Sequence, residues 1–143
     1  MRETKKLTDN QVRSFRRTVY AYFRKHGRDL PWRRTRDPYH IFVSEIMLQQ
    51  TQVDRVAEKF TMFVRRFPTF EALGRAPFNE VLAAWQGLGY NRRARNLHRA
   101  ARIVVERFEG RLPRTPDQLV ELPGVGPATA ASIAAFAFGH PSV

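Results

Sequence analysis

Helix-start signals recur along this chain, and they constrain its fold more than any other feature. Asp37-Pro38 and Thr115-Pro116 each place a proline directly after a capping side chain. That order is favoured at helix N-termini, where proline loses no hydrogen bond and the cap accepts one. No segment alternates apolar and polar residues as a half-buried strand would. The sequence therefore predicts an all-α fold.

The predicted helices follow one another with short connections. Thr8 and Gln11 form a capping box for the first helix, which ends at about His26 before Gly27. Later helices are predicted at about 38–49, 52–67, 69–74, 77–85, 92–108, from 116, and at 127–138. No repeat, low-complexity segment or linker divides the chain, so we predict one helical domain over residues 1–143.

A carboxylate lies inside the most apolar of these helices. Glu45 shares a helical face with Ile41 and Leu48, and apolar residues cover the remaining faces. In such an interior the pKa of a carboxyl group rises, so Glu45 is a candidate general acid near pH 7. The alternatives are a glutamate at a partly exposed crevice, or one paired with an arginine.

Two adjacent glutamines, Gln49 and Gln50, end that helix. Amides of this kind can wedge into a base stack or bind base edges. The alternative is a frayed helix end with solvated amides.

Two other segments combine an aromatic residue with arginines. In GLGYNRRARN, Tyr90 precedes Arg92, Arg93 and Arg95, a combination that suits base stacking with phosphate contacts; otherwise Tyr90 is a core residue beside a solvated basic face. LPWRR is similar, because Trp32 is either a binding residue or a core residue, and Arg33 and Arg34 are either ligand contacts or solvated.

LPGVG predicts a helix–hairpin–helix. Gly124 and Gly126 permit a tight turn around Val125, and they leave backbone N–H groups open beside the N-terminus of the following helix. A phosphate can bind there, although the same letters also fit an ordinary helical turn.

Charge supports a nucleic-acid partner. Lys and Arg total 25 against 13 Asp and Glu, a formal net charge of +12; such an excess is typical of proteins that bind polyanions. Cysteine is absent, which excludes disulfides and thiolate metal sites within this chain. No apolar run approaches the ~20 residues that span a bilayer, and no secretory signal is recognisable, so we expect a cytoplasmic, nucleoid-associated protein.

Together these segments resemble the helix–hairpin–helix (HhH-GPD) DNA glycosylase superfamily, and its MutY-like adenine glycosylase branch in particular. The shared motifs are LPWR, DPYHIFVSEIMLQQTQV, GLGYNRRARNL and LPGVGPATA, in the family's order and spacing from about Leu30 to Val143. The resemblance implies an N-terminal helix plus a six-helix barrel, which ends in a helix–hairpin–helix with the hairpin and following helix at 122–138.

The resemblance also implies roles for individual residues. Glu45 would protonate N7 of a flipped adenine. The adenine pocket would be lined by Arg28, Leu30, Trp32, Arg33 and Leu48. Contacts to DNA would come from Gln49, Gln50, Tyr90, Arg92, Gly124, Val125 and Gly126, with Gln50 and Tyr90 wedged into the stack. Main-chain carbonyls of Val120, Leu122 and Val125 would hold a sodium or potassium ion.

Departures from the family pattern qualify this activity. The family's second catalytic carboxylate and its four iron–sulfur cysteines lie beyond the motif matched by HPSV, so neither the carboxylate nor the ligands of a [4Fe-4S] cluster are expected within this chain. Ala128 stands where bifunctional relatives have a Schiff-base lysine, which predicts a monofunctional enzyme. Asn91 replaces a tyrosine that is common in the family.

The predicted function is base-excision repair of adenine opposite guanine or 8-oxoguanine, by a monomer acting on double-stranded DNA that carries a mispair or lesion. Two alternatives remain open: a thymine glycosylase for G·T mispairs, and a DNA-binding module without catalysis.

Overall fold

Helices form most of the chain that the structure, a computed structural model, describes: residues 8–14, 16–17, 30–33 and 35–139. Residues 9–14 and 16–17 are helical, and a 3₁₀ turn spans Pro31–Arg33. The later helices are α1 (Pro38–Leu48), α2 (Val53–Arg66), α3 (Phe70–Arg75), α4 (Phe78–Trp85), α5 (Asn91–Phe108), α6 (Pro116–Leu119) and α7 (Pro127–Phe138). No described residue lies in a strand, which confirms the all-α prediction.

The predicted capping residues are confirmed. The Thr8 hydroxyl accepts from the Gln11 amide at 3.1 Å, and the Gln11 side chain accepts from the Thr8 amide at 2.8 Å. Asp37 and Thr115 accept from the amides two and three residues later. These bonds satisfy N–H groups that the helices cannot pair internally. The predicted end of the first helix, at His26 and Gly27, falls outside the described residues.

Helix α1 is central because it is apolar on nearly every side. Seven of its 11 residues are buried, including Phe42, Val43 and Met47. It packs against α2, α5 and α7. Helix α7 buries Ala130, Ile133 and Ala134, and alanines at a helix contact let two helices approach closely. Glu45 therefore enters the interior with α1.

The longer surface helices bury one face each. Helix α5 buries Leu97, Ala101 and Val104, as its spacing predicts, while Val105 and Phe108 of the same predicted face are half-buried. It packs against α3 and α4. No helix within the described residues is long and apolar enough to span a membrane.

Candidate active site and nucleic-acid interface

Glu45 lies at the wall of a cavity of about 240 Å³ between α1, the 3₁₀ turn and α7. The volume is below the roughly 300–1,000 Å³ of pockets for drug-sized ligands, so it suits a smaller ligand such as one flat heterocycle. The lining residues are Trp32, Arg33, Thr35, Arg36, Ile41, Ser44, Glu45 and Phe136.

Burial sets the protonation of Glu45. As a residue it is half-buried, because one edge meets the cavity, but its carboxyl group is largely removed from water. Desolvation disfavours the ionised form and raises the pKa of Glu45 to about 7 from an ordinary 4.5. No ion pair joins this carboxylate to a cation of the described chain. The geometry therefore favours the buried-acid interpretation over the arginine-paired one.

The predicted pocket residues are only partly brought together. Trp32 and Arg33 line the cavity with Glu45. Leu30 lies in the hydrophobic core, and Leu48 is half-buried against that core; neither lines the cavity. Arg28 lies outside the described residues.

Trp32 contributes a buried hydrogen-bond donor to this region. Its ring packs edge-on against Phe60, with centroids 5.5 Å apart. Its indole Nε1–H is buried and has no acceptor in the described structure. A buried unsatisfied donor costs about 1–3 kcal/mol, so an acceptor on a bound ligand would be stabilising here.

Gln49 connects the end of α1 to the hairpin. Its Nε2 donates to the Gly124 carbonyl and to the Thr129 hydroxyl, at 3.2 Å in each case. The frayed-end alternative therefore does not describe Gln49. Gln50 is exposed and has a left-handed backbone, with φ 60°.

Tyr90 projects into solvent, with 64% of its surface exposed. It precedes α5 and also has a left-handed backbone, with φ 52°. The preceding loop is held by α4, because the indole of Trp85 donates to the Gly89 carbonyl at 3.1 Å. Of the two interpretations of Tyr90, the structure places it at the surface rather than in the core.

The arginines that follow Tyr90 do not form one exposed cluster. Arg92 and Arg95 are exposed, as expected for phosphate contacts. Arg93 is 93% buried, with 7% of its surface accessible, which corrects the prediction that it belongs to the basic surface. Its guanidinium turns inward because α5 places it on the same face as Leu97.

The segment Leu122–Gly126 forms a tight turn between α6 and α7. The Val125 amide donates to the Leu122 carbonyl at 3.1 Å, and Gly124 has φ +80°. No side chain caps the N-terminus of α7, so the first N–H groups of the helix remain available to an anion. Ala128 is exposed in this first turn.

Replacing Gly124 with alanine tests this turn. A Cβ at this position would lie 3.0 Å from the Asn96 Cβ, and φ +80° strains any L-residue. We expect Gly124→Ala to lower the free energy of unfolding by about 2–3 kcal/mol in urea denaturation. Gly126→Ala is the control, because its Cβ would meet nothing within 4 Å; it should be neutral or stabilising by up to about 1 kcal/mol. Equal losses from both variants would contradict the assigned strain.

The carbonyls proposed for an alkali-metal ion have suitable chemistry. The Leu122 carbonyl accepts one hydrogen bond, whereas no backbone N–H of the described chain donates to the carbonyls of Val120 or Val125. Carbonyl oxygens are preferred ligands of hard cations, so the three residues fit such an ion. Elsewhere in the described residues, no three His, Asp or Glu side chains cluster as metal ligands.

The chain thus combines a tight turn between two helices with a buried carboxyl group at the wall of a cavity. Residues 43–139 match the family described as "HhH-GPD superfamily base excision DNA repair protein", and the chain belongs to this family. The predicted fold class is confirmed with it.

Individual proteins similar to this chain include adenine DNA glycosylases. Over 139 residues the chain is 44% identical to the adenine DNA glycosylase of Homo sapiens, covering 91% of this chain and 26% of that protein. It is 40% identical over 125 residues to the adenine DNA glycosylase of Buchnera aphidicola subsp. Baizongia pistaciae, covering 87% of this chain and 36% of the relative. The chain therefore spans about a quarter to a third of these relatives.

A solved structure shares the fold. The structure of a thermostable thymine-DNA glycosylase superposes with a TM-score of 0.76 at 34% identity, covering 92% of this chain and 61% of that one.

Sequence reasoning missed part of the cavity wall. Ile41 was placed on the helical face of Glu45 by its spacing of four residues but was not assigned to the pocket. Phe136 could not have been found from the sequence, because it reaches the cavity only through the packing of α7 against α1.

Proposed function

We propose that this protein is a monofunctional DNA glycosylase that removes a mispaired adenine opposite guanine or 8-oxoguanine. The observation that carries the proposal is Glu45, a carboxyl group with a pKa of about 7 at the wall of a cavity for one base. The identity to adenine DNA glycosylases over most of the chain supports adenine as the base.

The proposed partner is double-stranded DNA that contains a mispair or lesion, bound by a monomer. Support comes from the net charge of +12, from the open N-terminus of α7 and from the exposed Tyr90. Anions bind at such helix ends through N–H groups and the helix dipole. An alkali ion on the hairpin carbonyls would hold the turn in shape. We further infer that residues 1–143 form one helical domain, with the hairpin and following helix at 122–138.

The proposed chemistry begins with extrusion of the target base from the duplex, since its reacting atoms are inaccessible in the stack. Protonated Glu45 donates its proton to N7 of adenine. The glycosidic bond then breaks, its electron pair leaves with the base, and the sugar becomes an oxocarbenium-like cation, as in other glycoside hydrolysis. Water adds to the anomeric carbon, and the proton that it loses restores the acid form of Glu45.

Single-turnover base release tests this function. Duplexes that carry one A:8-oxoG, A:G or T:G mispair, and a fully paired control duplex, would be incubated with the protein. Each would then be treated with alkali to cut abasic sites. The assay would use this chain and a version extended beyond Val143, because the relatives are longer. Release of adenine alone supports the proposal. Binding without release by either form would make this a DNA-binding module.

Thymine release is the second candidate function. The superposition on a thymine-DNA glycosylase at 34% identity favours it, and an acid at the position of Glu45 fits either base. Cleavage of T:G duplexes without cleavage of adenine-containing ones would establish it.

Truncating Tyr90 to alanine tests its role at the interface. Because Tyr90 is exposed and its one ring contact among the described residues is with Arg93, we expect Tyr90→Ala to cost the fold no more than about 1 kcal/mol. It should weaken binding to a mispaired duplex by about 1–3 kcal/mol, the usual worth of one stacked base. Fluorescence anisotropy would measure the affinity.

Met62→Ala is the matched control for Tyr90→Ala. Met62 is a similarly exposed large side chain, at 58%, but it lies on α2 and does not line the cavity. Its truncation should leave affinity unchanged. A lowered melting temperature for Tyr90→Ala, with affinity intact, would make Tyr90 a structural residue.

A further inference from the structure

Two of the exposed residues proposed to contact DNA share an uncommon backbone conformation. Gln50 and Tyr90 have φ values of 60° and 52°, and Glu109 is the other non-glycine residue with positive φ in the described chain. A left-handed conformation costs an L-residue about 1–2 kcal/mol. Such residues persist only where their surroundings hold them. One side chain, that of Arg93, contacts the segments that carry both.

One terminal nitrogen of the Arg93 guanidinium, Nη1, binds the segment before Gln50. Its Nη1 donates to the Ile46 carbonyl at 3.2 Å, to the Met47 carbonyl at 2.7 Å and, closely, to the Gln49 carbonyl. These carbonyls lie at the C-terminal end of α1, where the helix leaves acceptors unpaired and a cation is favoured. The guanidinium therefore ends the helix immediately before Gln50.

The other terminal nitrogen of the Arg93 guanidinium, Nη2, binds the residue that follows Gln50 and the residues that precede Tyr90. Nη2 donates to the Thr51 hydroxyl at 2.7 Å, and to the carbonyls of Leu88 and Gly89 at 3.2 and 3.3 Å. Thr51 follows Gln50, and Gly89 precedes Tyr90. The flanking residues of both proposed wedges are thus bound to one planar group.

Aromatic rings complete the environment of this cation. The guanidinium carbon lies 5.3 Å from the centroid of Trp85 and 5.6 Å from that of Tyr90, distances at which cation–π attraction operates. Burial lowers the pKa of Arg93, and the neighbouring Tyr90 acts in the opposite sense. A cation this buried is tolerated because both of its terminal nitrogens are satisfied, and only its Nε–H lacks an acceptor in the described structure.

We propose that Arg93 is a positioning residue that fixes Gln50 and Tyr90 at one separation and orientation, ready to enter the DNA stack at an extruded base. The inference that Gln50 and Tyr90 enter DNA rests on the proposed function. The inference that Arg93 fixes their backbone conformation rests on the hydrogen bonds alone. Lysine cannot replace Arg93. The guanidinium reaches the acceptors near Gln50 with one terminal nitrogen and those near Tyr90 with the other, and a single ammonium group cannot reach both sets.

Amide hydrogen exchange tests the conformational part without DNA. In Arg93→Gln we expect exchange within the segments 49–51 and 88–90 to rise by about tenfold or more at the hydrogen-bonded amides of Gln49, Thr51 and Leu88, while the amides of α5 around Leu97 and Val104 stay protected. Arg99→Gln is the control: Arg99 is exposed on the same helix, so its loss changes charge equally and should leave both segments protected. Unchanged exchange of both segments in Arg93→Gln would overturn the proposal.

Binding to DNA tests the functional part. Wild type and variants would be titrated with an A:8-oxoG duplex and with a fully paired duplex of the same sequence. Arg93→Gln should lose about 10- to 100-fold in affinity for the mispaired duplex and less than about threefold for the paired one. Arg99→Gln should weaken both equally. Equal losses on both duplexes for Arg93→Gln would mean that Arg93 acts only as a phosphate contact or a structural residue.

Arg93→Lys keeps the test decisive if Arg93→Gln does not fold, since lysine retains the charge and the buried stem. It should show the same local rise in exchange and the same loss of discrimination; wild-type behaviour in both would refute the positioning role. A wild-type protein that does not prefer the mispaired duplex would contradict the proposed function, and the exchange measurement would still decide the conformational role of Arg93.

Discussion

Glu45→Gln is expected to lower the single-turnover rate of base release by about 10²- to 10⁴-fold, the usual contribution of a general acid, and to leave duplex affinity unchanged. Glutamine preserves the shape of the side chain but has no acidic proton. Because burial raises the pKa of Glu45 to about 7, the wild-type rate should also fall about tenfold for each pH unit above 7 as the acid form is lost.

Glu58→Gln provides the control for this experiment. Glu58 is an exposed carboxylate on α2, so the variant makes the same chemical change outside the cavity and should release base at the wild-type rate. Normal release by Glu45→Gln, or a wild-type rate that is flat between pH 6 and 9, would remove Glu45 from the mechanism. A parallel loss of duplex affinity would indicate a binding role instead.

The same substitution is expected to stabilise the fold at alkaline pH. The carboxyl group of Glu45 ionises with a pKa of about 7 in the folded protein and 4.5 in the unfolded chain. Between these values the folded state binds the extra proton, so the wild-type free energy of unfolding decreases as pH rises. The loss is complete above pH 7 and amounts to about 3 kcal/mol. Glu45→Gln does not titrate and should avoid it.

Urea denaturation across pH would measure this difference. Glu45→Gln and wild type should have equal stability below pH 4.5, and the variant should be more stable by about 3 kcal/mol at pH 8. Glu58→Gln should track the wild type at every pH. A stability difference for Glu45→Gln that does not change with pH would show that the carboxyl group titrates normally in the folded protein.

The helix boundaries were predictable because their causes are local. Asp37-Pro38 and Thr115-Pro116 fix helix starts within a few residues of sequence, and the structure begins helices at Pro38 and Pro116. The elevated pKa of Glu45 was predictable for a related reason: the apolar run that buries the carboxyl group is its own helix.

Arg93 was misassigned because composition cannot tell which way a side chain points. Within the run of arginines, Arg92 and Arg95 are exposed and Arg93 is buried. A signal for this was present in the sequence. Arg93 precedes Leu97 by four residues and Ala100 by seven, so helical spacing puts it on the buried stripe. The acceptors of its Nη1 lie more than forty residues away, at the C-terminal end of α1, and no local pattern predicts them.

Under the proposed function, the bonds that Gln49 makes to Gly124 and Thr129 would affect how the protein locates its target in DNA. They join the end of the helix that carries Glu45 to the turn whose N–H groups are proposed to bind a phosphate. The distance between the proposed phosphate site and the carboxyl group of Glu45 is therefore fixed. The protein would then examine only the nucleotide at one fixed distance from the phosphate that it binds, and the duplex would have to deform to bring that nucleotide to Glu45. Interrogation should therefore be fastest where DNA bends most easily, at pyrimidine–purine steps and at mispairs.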